Sequence, residues 1–250
     1  MEVIGDPWFW AVAIPAVILT GISKGGLGGG AGGVATPLIA LVIPPAQGAA
    51  IMLPVLCVMD LAGLKAYLGL WDRRIMRVII PAGLLGCAIG TLTFRLVNDS
   101  VIRILLGLIA LGFLGYSVLP RRAPPGPPSD RQGWFWATVS GLTSFVSHSG
   151  GPPLMVYLLP QKLDKAVFIA TSLVFFASMN YAKILPYLWL GLFDTRNLAT
   201  SLVLVPIGVA GTYLGVWLQR RIDPVLFYRI VYSLFFVTGI KLLYDGLRGL

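Results

Sequence analysis

Apolar runs interrupted by short polar loops fill almost the whole chain. Several runs of about 17 or more residues carry no charge, long enough to cross a bilayer core. One begins at Ile104 and ends at Pro120, another lies between Lys165 and Lys183, and a third between Arg196 and Arg220. The first apolar stretch, residues 8–43, is broken in its middle by Gly21-Ile22-Ser23-Lys24-Gly25-Gly26-Leu27-Gly28-Gly29-Gly30-Ala31-Gly32-Gly33. Each glycine costs a helix about 1 kcal/mol relative to alanine, so this stretch predicts two short helices meeting at a glycine-rich tip. Three longer helices are predicted after it, near 47–70, 75–95 and 101–119. Residues 134–160 form a second broken hairpin centred on Ser147-His148-Ser149-Gly150-Gly151-Pro152-Pro153. Three more helices are predicted near 164–188, 197–219 and 224–246.

The two halves are one plan written twice. Trp8-Phe9-Trp10-Ala11 returns as Trp134-Phe135-Trp136-Ala137, an offset of 126. Leu68-Gly69-Leu70-Trp71-Asp72 returns as Leu190-Gly191-Leu192-Phe193-Asp194, an offset of 122. Pro81, Gly83, Gly86 and Gly90 match Pro206, Gly208, Gly211 and Gly215 at 125. The chain divides into a first membrane repeat (1–120), a proline-rich linker (121–133) and a second membrane repeat (134–250). The fold expected is an all-α, polytopic transmembrane helical bundle of two repeats. Each repeat has an odd number of full spans, so the second is expected upside down relative to the first. Proline and glycine interruptions at matching places in two halves point to a binding site between them.

Composition supports the membrane. Hydrophobic residues make up 57% and charged residues 12%, too few to clothe a soluble protein of this size. The net charge of +9 does not mark a nucleic-acid binder, because the basic residues sit mostly in loops between apolar runs. Placing the 71–77 loop, the linker, Lys162, Lys165 and the 220–229 segment inside puts 11 basic residues there. The other side then has five: Arg95, Arg103, Arg196, Lys241 and Arg248. That split predicts a cytoplasmic linker and both termini outside. The acidic N-terminal residues Glu2 and Asp6 argue against a cleaved signal peptide. Cys57 and Cys87 lie in apolar stretches and read as packing residues, not as a disulfide or metal site.

Chemistry is expected at the tips. A lysine inside an apolar module is costly and usually functional. Lys24, with the N–H groups of Gly25, Gly26, Gly28 and Gly29, reads as a pocket for a small oxyanion; otherwise it lies at the bilayer surface. Ser147, His148, Ser149, Gly150 and Gly151 offer hydroxyl and backbone donors. His148 is either a proton carrier or a structural hydrogen-bonding group. Lys65 and Lys183, at an offset of 118, either guide an anion or snorkel towards headgroups. Asp60 lies mid-helix and either pairs with Lys24 or carries a proton. Asn180 either contacts substrate or holds a neighbouring helix. No G-x-S-x-G elbow surrounds Ser147, and no acid stands beside His148 to orient it, so an intramembrane hydrolase is the weaker reading. No catalytic residue, metal or cofactor is implied.

The glycine-rich first tip leading to Pro37-Leu38, the Ser-Gly-Gly-Pro tip at 149–152 and the paired Leu-Gly-Leu-aromatic-Asp loops resemble the sulfite exporter TauE/SafE family, over essentially the whole chain. The resemblance implies a multi-pass transporter of the bacterial inner membrane. Its substrate would be a small anion, sulfite or an organosulfonate, carried by alternating access. An anion channel is the alternative.

Overall fold

The computed structural model describes residues 3–27, 32–94, 96–118, 127–218, 221 and 224–250. Among them all regular structure is helical. The first half contains α1 (Pro7–Gly26), a 3-10 turn (Gly32–Val34), α2 (Ala35–Ile39), α3 (Pro45–Ala66), α4 (Arg73–Phe94) and α5 (Asp99–Val118). The second half contains α6 (Asp130–Ser147), α7 (Gly151–Leu158), a 3-10 turn (Leu159–Gln161), α8 (Lys165–Trp189), α9 (Thr195–Leu218) and α10 (Pro224–Arg248). Six of these helices (α1, α3, α4, α8, α9 and residues 229–248 of α10) are long and apolar enough to cross a membrane. The chain is a multi-pass membrane protein, and large apolar side chains such as Leu92, Leu202, Trp217 and Val237 remain exposed on its outer faces.

Two expectations about element limits change. The hairpin arms are not both short. The first arm, α1, runs for 20 residues, whereas α2 has five. The glycines of the first tip begin inside α1 rather than after it. Tertiary contact outweighs their poor propensity: a Cβ on Gly21 would sit 2.7 Å from the Gly211 carbonyl carbon, so the bare backbone lets α1 lie directly on α9. The second hairpin also starts before 134. The Ser129 hydroxyl accepts from the Gln132 N–H while the Gln132 side chain accepts from the Ser129 N–H. This capping box starts α6 at Asp130, inside the stretch read as linker. Of the rest of the linker read from sequence, residues 121–126 lie outside the described residues and 127–129 lead into α6.

The main helix pairings recur when the halves are exchanged. The hairpin helix α1 packs on α9 of the other half, and its counterpart α6 packs on α4. Helix α3 touches α9 as α8 touches α4, and α5 pairs with α10. The matched loops share their conformation. Gly69 and Gly191 both adopt positive φ, +79° and +70°, a turn that glycine enters without steric cost. Asp72 and Asp194 then each accept from the N–H three residues on, at 2.9 and 2.6 Å, to start α4 and α9. Helices α3 and α8 are the best buried, 61% of each span against 33% for α9. They carry the polar residues of the middle.

Candidate functional site

Six polar side chains from α1, α3, α6 and α8 meet between the two tips. Lys24, in the last turn of α1, forms an ion pair with Asp60 of α3, and both are buried. The second oxygen of Asp60 accepts from the Asn180 amide at 2.6 Å. Lys183, fully buried, donates to the Ser144 carbonyl at 3.0 Å, to the Ser144 hydroxyl at 3.1 Å and to His148 Nδ1 at 2.7 Å. The other ring nitrogen, Nε2, donates to the Ala49 carbonyl at 2.9 Å. That bond puts the hydrogen on Nε2 and leaves Nδ1 as the acceptor.

The arrangement follows from local structure. His148 caps α6 in the left-handed region, φ 56° and ψ 16°, a conformation histidine enters more readily than bulky branched residues. Its N–H returns to the Ser144 carbonyl. Lys183 therefore sits at a helix C-terminus, where the partial negative charge of the last carbonyls favours a cation. Leu56 and Asp60, four apart, share one face of α3. Phe176, Asn180 and Lys183 share one face of α8. These faces and the tips enclose a cavity of about 20 Å³ lined by Lys24, Leu56, Ser144, His148, Gly151, Phe176 and Asn180. That is room for about one water.

The tips also touch each other. The Ser149 hydroxyl donates to the Gly33 carbonyl at 2.9 Å, and a Cβ on Gly33 would lie 2.7 Å from the Ser149 Cα. Gly150 opens α7, and its carbonyl accepts from the Ser140 hydroxyl at 2.6 Å. Pro152 and Pro153 follow, so two of the first-turn donors of α7 are missing. The Ser147 hydroxyl donates to the Thr143 carbonyl at 3.1 Å. Both ring nitrogens of His148 are engaged elsewhere, so Ser147 and His148 do not form a nucleophile–base pair in this structure.

The residues expected from sequence separate into groups. Lys24, Asp60, Asn180, His148, Gly151 and Lys183 come together. Gly25 and Gly26 belong to the last turn of α1 rather than to a loop; a Cβ on Gly25 would collide with the Thr212 backbone. Gly28 and Gly29 lie outside the described residues. Lys65 is exposed in the last turn of α3 and does not line the cavity. Its match to Lys183 is out of register. By offset the residue of α3 that pairs with Lys183 is Asp60, 123 positions earlier, close to the 122 of the matched aspartate loops. Lys24 and His148, 124 apart, are likewise counterparts, each a tip residue bonded to the helix that follows. Ser144 was not foreseen, although it lies one helical turn before His148 and so on the same face.

No curated protein and no solved structure matches the chain at a significant level. The family model described as "Sulfite exporter TauE/SafE" matches residues 13–242, nearly the whole length. A tight polar cluster held inside an all-helical membrane bundle fits a membrane transporter of sulfur anions, and the chain belongs to that TauE/SafE family.

Proposed function

We propose that this protein carries sulfite or an organosulfonate across the bacterial inner membrane by alternating access. Its two repeats would lie in opposite orientations, and the anion would bind between their tips. The observation that carries the reading is the convergence of two buried lysines, Lys24 and Lys183, on one polar centre. Buried cations in a membrane bundle mark ion pathways, and one from each half meets at the junction of the halves. Ser144, Asn180 and the Gly151 N–H add neutral hydrogen-bonding groups. Ser147, Ser149 and Gly150 hold the second tip in shape. A cavity with room for about one water does not admit an oxyanion until the arms separate. That suits a carrier whose site forms and opens as one repeat moves against the other. An open channel would need a continuous aqueous path instead.

Proteoliposome flux of labelled sulfite and a sulfonate panel, with and without a pH gradient, tests the reading. Saturable flux is expected. Replacement Lys24→Gln should weaken affinity roughly 10- to 100-fold, the loss of one charged hydrogen bond. Flux that never saturates would favour a channel. Near-normal affinity in the variant would put Lys24 outside the site.

A further inference from the structure

We propose that Arg103 and Arg229 are alternating latches. Arg103 pins the α5–α10 pair to the first hairpin in this structure, and in the opposite conformation the pair swings to the second hairpin, where Arg229 pins it. This rests on the reading of the chain as an alternating-access carrier of two inverted repeats. Helices α5 and α10 touch as one body. A Cβ on Gly107 would lie 2.8 Å from the Gly239 carbonyl oxygen, and the rings of Phe113 and Phe235 meet edge to face at 5.5 Å. Val34 and Leu38 of the first hairpin join Ala110, Phe113, Val231 and Phe235 in one apolar cluster. Beside it the Arg103 guanidinium donates to the Ala40 carbonyl at 2.6 Å. That carbonyl needs a side-chain donor, because Pro44, four residues on, has no N–H.

The second half repeats these parts without the contact. Pro37-Leu38 and Pro44 return as Pro153-Leu154 and Pro160, at one offset of 116. By that offset Val156 corresponds to Ala40, and Pro160 has no N–H for its carbonyl either. Arg103-Ile104 returns as Arg229-Ile230 at 126, the offset of the tryptophan motif. Arg229 is exposed, and among the described residues no hydrogen bond or ion pair holds it. Where the first hairpin is packed, the second faces a cleft of about 240 Å³. Leu108, Ile109 and Gly112 of α5 line one wall, and Trp136, Val139 and Val156 line the other. A Cβ on Gly112 meets nothing within 4 Å. Exchange of the halves therefore maps a packed seam onto an open one. When the repeats trade arrangements, the cleft closes, Arg103 leaves Ala40 and Arg229 reaches the Val156 carbonyl. One arginine–carbonyl bond is present in each state, so the latches do not bias the equilibrium between them.

Thiol labelling of the full chain in proteoliposomes tests this without a substrate. On a Cys57→Ala/Cys87→Ala background, Val139→Cys in the cleft should react with N-ethylmaleimide only while the cleft is open. Arg103→Met removes the latch of the open-cleft state, and Arg229→Met removes that of the closed-cleft state. A charged hydrogen bond corresponds to a population shift of roughly 10- to 100-fold. Val139→Cys should therefore label at least about threefold more slowly with Arg103→Met than with Arg229→Met. Equal rates, or the reverse order, overturn the proposal; a merely structural role would move both variants alike. Gly112→Leu fills the cleft without a clash and improves helix propensity. It should leave the thermal midpoint undiminished, yet cut the saturable flux of labelled sulfite or methanesulfonate about tenfold or more. A fallen midpoint or an undiminished flux overturns the closure of the cleft, and this arm stands even if Arg103→Met does not fold. A wild-type flux that never saturates sinks the alternating-access reading instead, while the labelling ranks the two arginines whatever anion is carried.

Discussion

Each half places a bonded pair between the tips, and the two pairs differ in net charge. In the first half a tip lysine meets a carboxylate, Lys24 with Asp60. In the second a tip imidazole meets a lysine, His148 with Lys183. Around these pairs the halves stay alike: the positive-φ glycines Gly69 and Gly191, the capping aspartates Asp72 and Asp194, and the exchanged packing of α1 on α9 and α6 on α4. The scaffold kept its symmetry while charge diverged. In the alternating-access reading proposed above, similar seams would let the halves exchange roles between two conformations, and the asymmetric centre would give the pathway its chemistry.

The sharpest way to break the comparison is to remove one member of each pair. Asp60→Leu leaves the Lys24 ammonium buried with no countercharge, and removing one partner of a buried pair typically costs 3–5 kcal/mol. Adding Lys24→Met should recover most of that loss, because a hydrophobic replacement of both partners is often neutral. Lys183→Met removes a charge that has no carboxylate partner. It leaves Ser144 and His148 Nδ1 without their donor, a cost of about 1–3 kcal/mol. Denaturant unfolding in detergent micelles should therefore order the variants, Asp60→Leu well below Lys183→Met. A reversed order would mean that the second pair, not the first, is the self-neutralising one.

Much of this was readable from sequence, and the failures share a cause. Glycine density, proline positions and uncharged runs located both broken hairpins and the six helices that follow them. The loops were readable because Leu-Gly-Leu-aromatic-Asp encodes a positive-φ turn and a helix cap locally. The length of α1 was not readable, since contact of Gly21 and Gly25 with α9 keeps the helix going where propensity alone would end it. The capping box at Ser129 and Gln132 is a local signal that extends α6 back into the stretch that proline content marks as linker. At the site, the Lys24–Asp60 pairing was one of the alternatives raised. The role of Lys183 was obscured by matching it to Lys65, a residue of the same chemistry, when its structural counterpart Asp60 has the opposite charge. Residue type misleads where a repeat has diverged in charge, and packing recovers the register.

The two hairpin seams give a second, smaller test. A Cβ on Gly21 would lie 2.7 Å from the Gly211 carbonyl carbon and 2.8 Å from the Thr212 nitrogen. A Cβ on Gly141 would collide with the Gly83 carbonyl oxygen and lie 2.8 Å from its carbonyl carbon. Backbone cannot swing away as a side chain can. Gly21→Ala and Gly141→Ala should each destabilise by about 1–3 kcal/mol, seen as falls in thermal midpoint, the deeper at Gly141. Loss at one seam alone would mean that only that hairpin is held tightly by the opposite half.

The smallest effect concerns two tyrosines at the ends of the hairpin arms. The Tyr67 hydroxyl donates to the Gly25 carbonyl at 2.8 Å, and the Tyr187 hydroxyl donates to the Phe145 carbonyl at 2.6 Å. Both carbonyls fall in the last four residues of their helices, α1 and α6, where no later turn supplies an N–H. Each tyrosine reaches from the helix that follows the hairpin and ties it to the broken arm. Phenylalanine keeps the ring and removes only the hydroxyl, so Tyr67→Phe and Tyr187→Phe should each cost about 0.5–1.5 kcal/mol. Hydrogen exchange should localise the change, with faster exchange in the last turn of α1 in one variant and of α6 in the other. Equal effects would place these bonds with the symmetric scaffold. A clearly larger effect at Tyr187 would place it with the asymmetric centre instead, because the Phe145 carbonyl it holds is next in sequence to Ser144, which holds Lys183.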